Sequence, residues 1–94
     1  MDVRLAFLLS RAEEALPRLQ ALGLGAEVYL DPALLEEDAL FQSLRRRLPG
    51  RVSVHLPFWN LDLLSPDPEV RGLTLRRLLF GLDRAAELGA DRAV

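Results

Sequence analysis

The segment Arg51-Val-Ser-Val-His-Leu-Pro-Phe-Trp-Asn60 decides the fold, because it reads as a short strand that ends at a histidine. Alternation along the strand places the two valines on one face and Ser53 and His55 on the other. Pro57 has no backbone N–H for a strand ladder and biases the residue before it toward an extended conformation. We therefore expect the strand to end near His55, at the edge where open and barrel-shaped α/β enzymes keep their chemistry.

Outward from this segment, helix-like stretches that end at glycine and pass into a β-prone run recur three times. The β-prone runs cover residues 26–30, 52–55 and 91–94, and an apolar first strand covers residues 3–9. Strands that alternate with helices indicate βαβ units, hence parallel strands joined by right-handed crossovers. The sequence therefore predicts an α/β fold with four parallel strands and three crossover helices. We expect Gly23, Gly50 and Gly89 to supply left-handed caps at the helix ends.

Each predicted helix carries a start signal or an apolar stripe. Ser10 and Glu13 form an S-x-x-E capping box, and Pro17 implies that the first helix is kinked or begins later. Asp67 and Pro68 mark the start of the third helix. The expected buried stripes are Leu40, Phe41, Leu44 and Leu48 in the second helix, and Leu75, Leu78, Leu79, Leu82 and Ala86 in the third.

The composition excludes several kinds of chemistry. The 94 residues include no cysteine, one histidine and twelve arginines without any lysine. Disulfides, thiolate zinc sites and Schiff-base lysines are therefore excluded within the chain, and a metal would need histidine and carboxylate ligands. The apolar run at residues 5–9 is too short for a membrane span or a signal peptide, so we expect a cytoplasmic protein without membrane contact.

The length also bounds the architecture. The formal net charge is −2, and the chain is long enough for one domain at most. A closed eight-stranded barrel needs about 250 residues, and the fourth strand pattern begins only at Asp91. We therefore expect residues 1–94 to be part of a larger fold, truncated in strand 4. Its unpaired strand edges favour association, so a homo-oligomer is expected.

Three segments carry a resemblance to a known superfamily. They are Val54-His-Leu-Pro-Phe-Trp-Asn-Leu61, Ser65-Pro-Asp67 and Leu82-Asp-Arg-Ala-Ala-Glu-Leu-Gly-Ala90. In order and spacing they are similar to the H-x-P-[FY], N-L, S-x-D and R-A-x-x-L-G-A elements of the xylose-isomerase-like TIM-barrel superfamily. That superfamily includes sugar phosphate isomerases and epimerases and the endonuclease IV type of nuclease. The resemblance implies that the chain forms a partial (β/α)8 TIM barrel, namely the amino-terminal part of one.

The resemblance also implies a function and a site. It favours the amino-terminal portion of a metal-dependent sugar or sugar phosphate isomerase/epimerase that takes a small-molecule sugar. His55 would be a ligand of a divalent metal (Zn, Mn or Mg), and Trp59, Asn60 and Asp31 would contact substrate. The family's other ligands come from later strands, so we expect the chain alone to lack a complete active site and to hold no metal.

Two other functions stay open. One is a zinc-dependent phosphodiesterase of the endonuclease IV kind, which the chain's mild acidity and its shortened spacing to Asn60 disfavour. The other is a non-catalytic half-barrel module that self-associates.

Each candidate residue also has a purely structural interpretation. His55 could be a hydrogen-bonded strand-end residue, Trp59 could plug the barrel mouth, and Asn60 could stabilise a turn. Asp31 has a helix-capping role as its more frequent alternative. The arginines at positions 45–47, with Arg51, could contact phosphate, but solvated side chains that complement a helix dipole are the favoured interpretation.

Overall fold

Strands and helices alternate along the whole chain. The computed structural model describes residues 2–58 and 61–94. The strands are β1 (Arg4–Leu8), β2 (Gly25–Tyr29), β3 (Val52–His55) and β4 (Arg92–Ala93). The helices are α1 (Ala12–Leu22), α2 (Asp38–Arg47) and α3 (Pro68–Glu87), with short 3-10 turns at Leu9–Arg11 and Pro32–Leu34. No helix within the described ranges is long and apolar enough to cross a membrane.

The four strands form one parallel sheet in the order β1-β2-β3-β4. The predicted parallel arrangement with three crossover helices is therefore confirmed. The register aligns Leu8, Tyr29 and His55 across the first three strands. Because parallel strands end at the same edge, these residues share the carboxyl-terminal edge of the sheet, which we call the C-edge.

The core lies on one face of the sheet and includes residues of all three helices. Val52 and Val54 are 1% and 0% exposed, so the predicted valine face is confirmed. From the other strands Phe7, Ala26 and Val28 join the same cluster. The helices add Leu16, Leu19, Phe41, Leu44 and Ala85, and Leu88 joins it just after α3. On the opposite face, Ala6 and Leu8 are exposed, while Glu27, Tyr29 and His55 are half-buried.

The first helix begins differently from the prediction. It starts at Ala12 after a 3-10 turn, and no side chain caps it, so the predicted capping box at Ser10 does not form. Glu13 instead accepts two hydrogen bonds from Arg47 of α2, at 2.7 and 2.9 Å. These bonds lower the pKa of Glu13. Pro17 lies inside the helix, so the later start does not remove the proline from it.

Two of the three predicted glycine caps are confirmed. Gly23 and Gly89 have φ values of 63° and 72°, the left-handed conformation that glycine adopts without a steric penalty. Gly50 does not have a positive φ. The second helix ends at Arg47, and the following Leu48 is extended and donates its N–H to the carbonyl of Leu44 at 2.9 Å.

The stripe predicted as the buried face of α3 is wrong. Leu75, Leu79 and Leu82 are 51%, 53% and 46% exposed. The buried positions are Thr74, Gly81, Arg84, Ala85 and, just after the helix, Leu88. A small residue is required at Gly81 because α3 approaches the end of β3 closely there: an added Cβ would lie 3.0 Å from the Pro57 ring.

An arginine network closes the opposite, amino-terminal edge of the sheet. Arg4 of β1 donates to both carboxylate oxygens of Asp91, at 2.8 and 2.7 Å, and also to Asp2. Arg51 donates to Asp2 at 3.1 Å. Gly25 makes room for this network, because an added Cβ would lie 3.0 Å from Cγ of Arg4. The network joins β1 to the start of β4, away from His55.

This network predicts acid sensitivity. The hydrogen bonds from Arg4 lower the pKa of Asp2 and of Asp91 below the ordinary value of 3.8. A carboxyl with a lowered folded pKa contributes stability that is fully present above 3.8 and is lost as pH falls through the folded value. We expect Asp91→Asn to be less stable at neutral pH and to show a flatter acid branch in melting temperature, followed by circular dichroism.

Asp83→Asn is the matched control, because Asp83 is exposed and makes no ion pair with any residue that the structure describes. Its melting profile should follow the parent profile below pH 3.8. Superimposable acid branches for Asp91→Asn and the parent chain would contradict the assignment.

Candidate functional site

His55 lies at the C-edge within a group of three rings. Its imidazole stacks on Tyr29 of the neighbouring strand, with ring centroids 4.6 Å apart and an interplanar angle of 19°. Phe58 meets the same imidazole edge-on, at 4.8 Å and 62°. The three rings, called the C-edge cluster below, hold the imidazole between one aromatic face and one aromatic edge.

A backbone hydrogen bond fixes the protonation pattern of this imidazole. Nδ1 of His55 lies 2.8 Å from the carbonyl oxygen of Leu56. A carbonyl oxygen only accepts, so Nδ1 carries the proton and donates. In the neutral ring Nε2 then holds the lone pair, and among residues 2–58 and 61–94 no partner is bonded to it. This is the arrangement in which histidine serves as a metal ligand or as a base.

Asp31 takes a position next to the same edge. One carboxylate oxygen accepts a hydrogen bond from the backbone N–H of Ser10 at 3.2 Å, which joins the loop after β1 to the loop after β2. Asp31 precedes a 3-10 turn, but its side chain does not cap that turn. The preceding residue, Leu30, donates to the carbonyl of His55 at 3.0 Å. The fold therefore brings Asp31 and His55 to one edge.

The other two predicted site residues, Trp59 and Asn60, lie outside the described residues. Tyr29 and Phe58 were not predicted as site residues. For Tyr29 a signal existed, since alternation along β2 puts Glu27 and Tyr29 on one face and parallel pairing puts that face beside His55.

A polar pair lies below the C-edge on the same face. Glu27 is paired in register with Ser53, whose side chain is fully buried. Within the described residues Oγ of Ser53 has no hydrogen-bond partner. A buried hydroxyl without a partner lowers stability. Oγ of Ser53 is therefore available on this face to donate and accept a hydrogen bond.

The donor set decides whether a metal fits. In the described part of the chain, no three His, Asp or Glu side chains converge on one point. A catalytic zinc site uses three protein ligands and one open position. His55 therefore fits as one ligand, and further ligands would have to come from residues outside the described part of the chain.

Arg47 and Arg51, near the end of α2, are held by different partners. Arg47 binds Glu13 and, at 3.3 Å, the hydroxyl of Ser43. Arg51 binds Asp2 and the carbonyl of Gly23. These bonds favour the structural interpretation over a phosphate site.

Comparison with known proteins yields one close structural match. No family model matches the chain, and no curated protein matches it. Among solved structures it is similar to the TTHB071 protein from Thermus thermophilus, in a structure described as soaked with ZnCl2. The identity is 95%, the TM-score is 0.96, and the match covers 99% of this chain and 38% of that one. The present chain thus spans well under half of that protein, which is roughly 245 residues long, since 99% of 94 residues makes up its 38%.

Proposed function

We propose that this chain is the amino-terminal part of a metal-dependent sugar or sugar phosphate isomerase/epimerase of the xylose-isomerase-like TIM-barrel type. The observation that carries the proposal is the His55 imidazole, which lies at the C-edge with Nδ1 bonded to Leu56 and with no partner for Nε2 among residues 2–58 and 61–94. In TIM barrels the carboxyl-terminal edge of the strands is the catalytic edge.

The size of the similar Thermus chain supports the barrel part of the proposal. Its roughly 245 residues agree with the typical 250 residues of an eight-stranded β/α barrel. The 94 residues here already supply four consecutive parallel strands. The remaining length is sufficient for four further strands with their helices.

Each residue of the site has a role in the proposal. Nε2 of His55 would coordinate a divalent cation, while Tyr29 and Phe58 hold the imidazole ring between a stacked face and an edge. A bound cation supplies Lewis acidity toward the sugar's carbonyl and hydroxyl oxygens. Asp31, which lies near this edge, would contact the sugar, and the resemblance assigns the same role to Trp59 and Asn60. Carboxylates from the rest of the complete protein would move the proton between neighbouring carbons.

Metal binding tests the central residue. In the longer Thermus chain, we expect alanine at the position of His55 to weaken zinc binding by at least about 100-fold, because even the loss of an outer-shell partner typically costs 10–100-fold. Competition titration with a chelating dye measures the affinity. The 94-residue chain is expected to bind zinc weakly, and Tyr29→Phe, which retains the stacked ring, should bind like the parent protein.

Activity tests the reaction class. The metal-loaded longer chain is expected to interconvert aldoses and ketoses, or epimers, in a panel of pentoses, hexoses and their phosphates followed by NMR. Cleavage of an abasic-site oligonucleotide without any sugar interconversion would replace the proposal by the endonuclease IV alternative. Unchanged zinc affinity in the His55→Ala protein would contradict the proposed role of His55 as a metal ligand.

A further inference from the structure

One flank of α3 carries apolar side chains that no described residue covers well. Leu75, Leu79, Leu82 and Ala86 recur at steps of four, three and four residues, so they form one stripe along the helix. Its three leucines are each about half exposed. We call these four residues the leucine flank. Contiguous apolar surface of this kind marks a contact site more often than a solvated surface.

The leucine flank points away from the neighbouring helix α2. On the α2 side, the guanidinium of Arg84 lies 4.3 Å from the ring of Phe41 and binds Asp38. At about 100° per residue, Leu75 and Leu82 lie roughly half a turn from Arg84 around the helix axis. The face between them, which includes Gly81 and Ala85, is buried. One side of α3 thus faces the sheet, a second side faces α2, and the third side is the exposed leucine flank.

The same side of the molecule has an open strand edge. β4 is the last strand in the sheet order and, in the described part of the chain, pairs only with β3. Since α2 precedes β3 and α3 precedes β4, the side of α3 that faces away from α2 lies toward the free edge of β4. An additional strand and helix would cover both surfaces at once.

We infer that the leucine flank and the free edge of β4 are the docking surface for a further strand and helix, of the kind that the additional residues of the longer Thermus chain can supply. This inference rests on the barrel architecture in the proposed function, but not on its metal or reaction. The TM-score of 0.96 over 99% of the chain shows that these residues keep their conformation within a protein of roughly 245 residues. That protein therefore has about 150 further residues that can cover the flank.

Cysteine labelling tests the inference, because the chain has no cysteine of its own. Leu82→Cys is placed in the 94-residue chain and in the longer chain, and the rate of reaction with N-ethylmaleimide is followed by mass spectrometry. We expect the cysteine to react at least about 10-fold more slowly in the longer chain, because opening of a packed helix must precede reaction. Leu79→Cys is a second flank position if the first variant does not fold.

Asp83→Cys is the matched control, since it neighbours Leu82 on the same helix and is exposed outside the flank. Its rate should agree in the two chains within about twofold, because the site has no opening step. Equal rates for Leu82→Cys and Asp83→Cys in the longer chain would overturn the inference. Protection of Leu82→Cys already in the 94-residue chain, lost on dilution together with a dimer mass, would assign the flank to a second copy and would also overturn it. Neither outcome bears on zinc binding at His55.

Discussion

Replacing Arg84 by alanine is expected to lower the free energy of unfolding by about 3 kcal/mol, the range in which buried charged networks fail when one partner is removed. Arg84 is 5% exposed, and its Nε donates to the carbonyl of Leu35 at 2.8 Å. Its other nitrogens bind Asp38 and Glu87. The substitution would leave a cavity beside Phe41 and a buried carbonyl without its donor.

The charge of Arg84 is secure in the native state. Burial acts to lower its pKa, but the hydrogen bonds to Glu87 and Asp38 outweigh burial and raise the pKa above the ordinary value. Arg84→Lys is expected to have an intermediate effect, since an ammonium lacks the planar fork that serves three partners. Urea unfolding at neutral pH measures the difference.

Arg76→Ala is the matched control for Arg84, because Arg76 is exposed on the same helix. Its effect should stay within about 0.5 kcal/mol, as for most surface substitutions. Equal unfolding midpoints for Arg84→Ala and Arg76→Ala would show that the buried network contributes nothing measurable.

Replacing Gly81 by valine is expected to cost about 2–3 kcal/mol, because overpacking at a tight contact forces backbone shifts. A Cβ there would lie 3.0 Å from Cδ of Pro57 and 3.1 Å from a methyl carbon of Leu56. Leu56 also accepts the hydrogen bond from His55. The substitution should therefore reduce the stability of the fold and displace the imidazole together.

Gly72→Ala provides the opposite sign on the same helix. Its Cβ would meet only the flexible end of Arg76, at 3.4 Å. Alanine in place of a helical glycine then stabilises by up to about 1 kcal/mol. Thermal melts of the two variants should shift in opposite directions. If the melting temperatures of both variants shifted in the same direction, the close approach of α3 to the end of β3 would be ruled out as the cause of the Gly81→Val effect.

Local patterns in the sequence were sufficient to predict the sheet but not the orientation of α3. The buried valine face in residues 52–55 and the left-handed caps at Gly23 and Gly89 are determined by neighbouring residues in the sequence. The structure confirms both predictions. The buried face of α3 depends on what packs against it. Small side chains at Gly81 and Ala85 are the best fit for a close contact, whereas hydrophobicity alone favours the leucines.

The candidate site was predictable to a similar extent. His55 follows from a single segment, but its partner Tyr29 follows only from the register between two strands. Arg84 could not be predicted as buried, because an arginine near a helix end usually complements the dipole in solvent. Within residues 82–90, Arg84, Ala85 and Leu88 are buried, so packing alone accounts for the residue types at these three positions.

The stacking of Tyr29 on His55 has a spectroscopic consequence, since each is the sole residue of its type in the chain. The imidazole C2 proton gives one resonance in a proton NMR spectrum, without assignment by mutagenesis. The tyrosine ring current displaces that line upfield while the two rings remain stacked. One peak therefore reports on this rim of the sheet in every variant that retains both rings, without an activity assay.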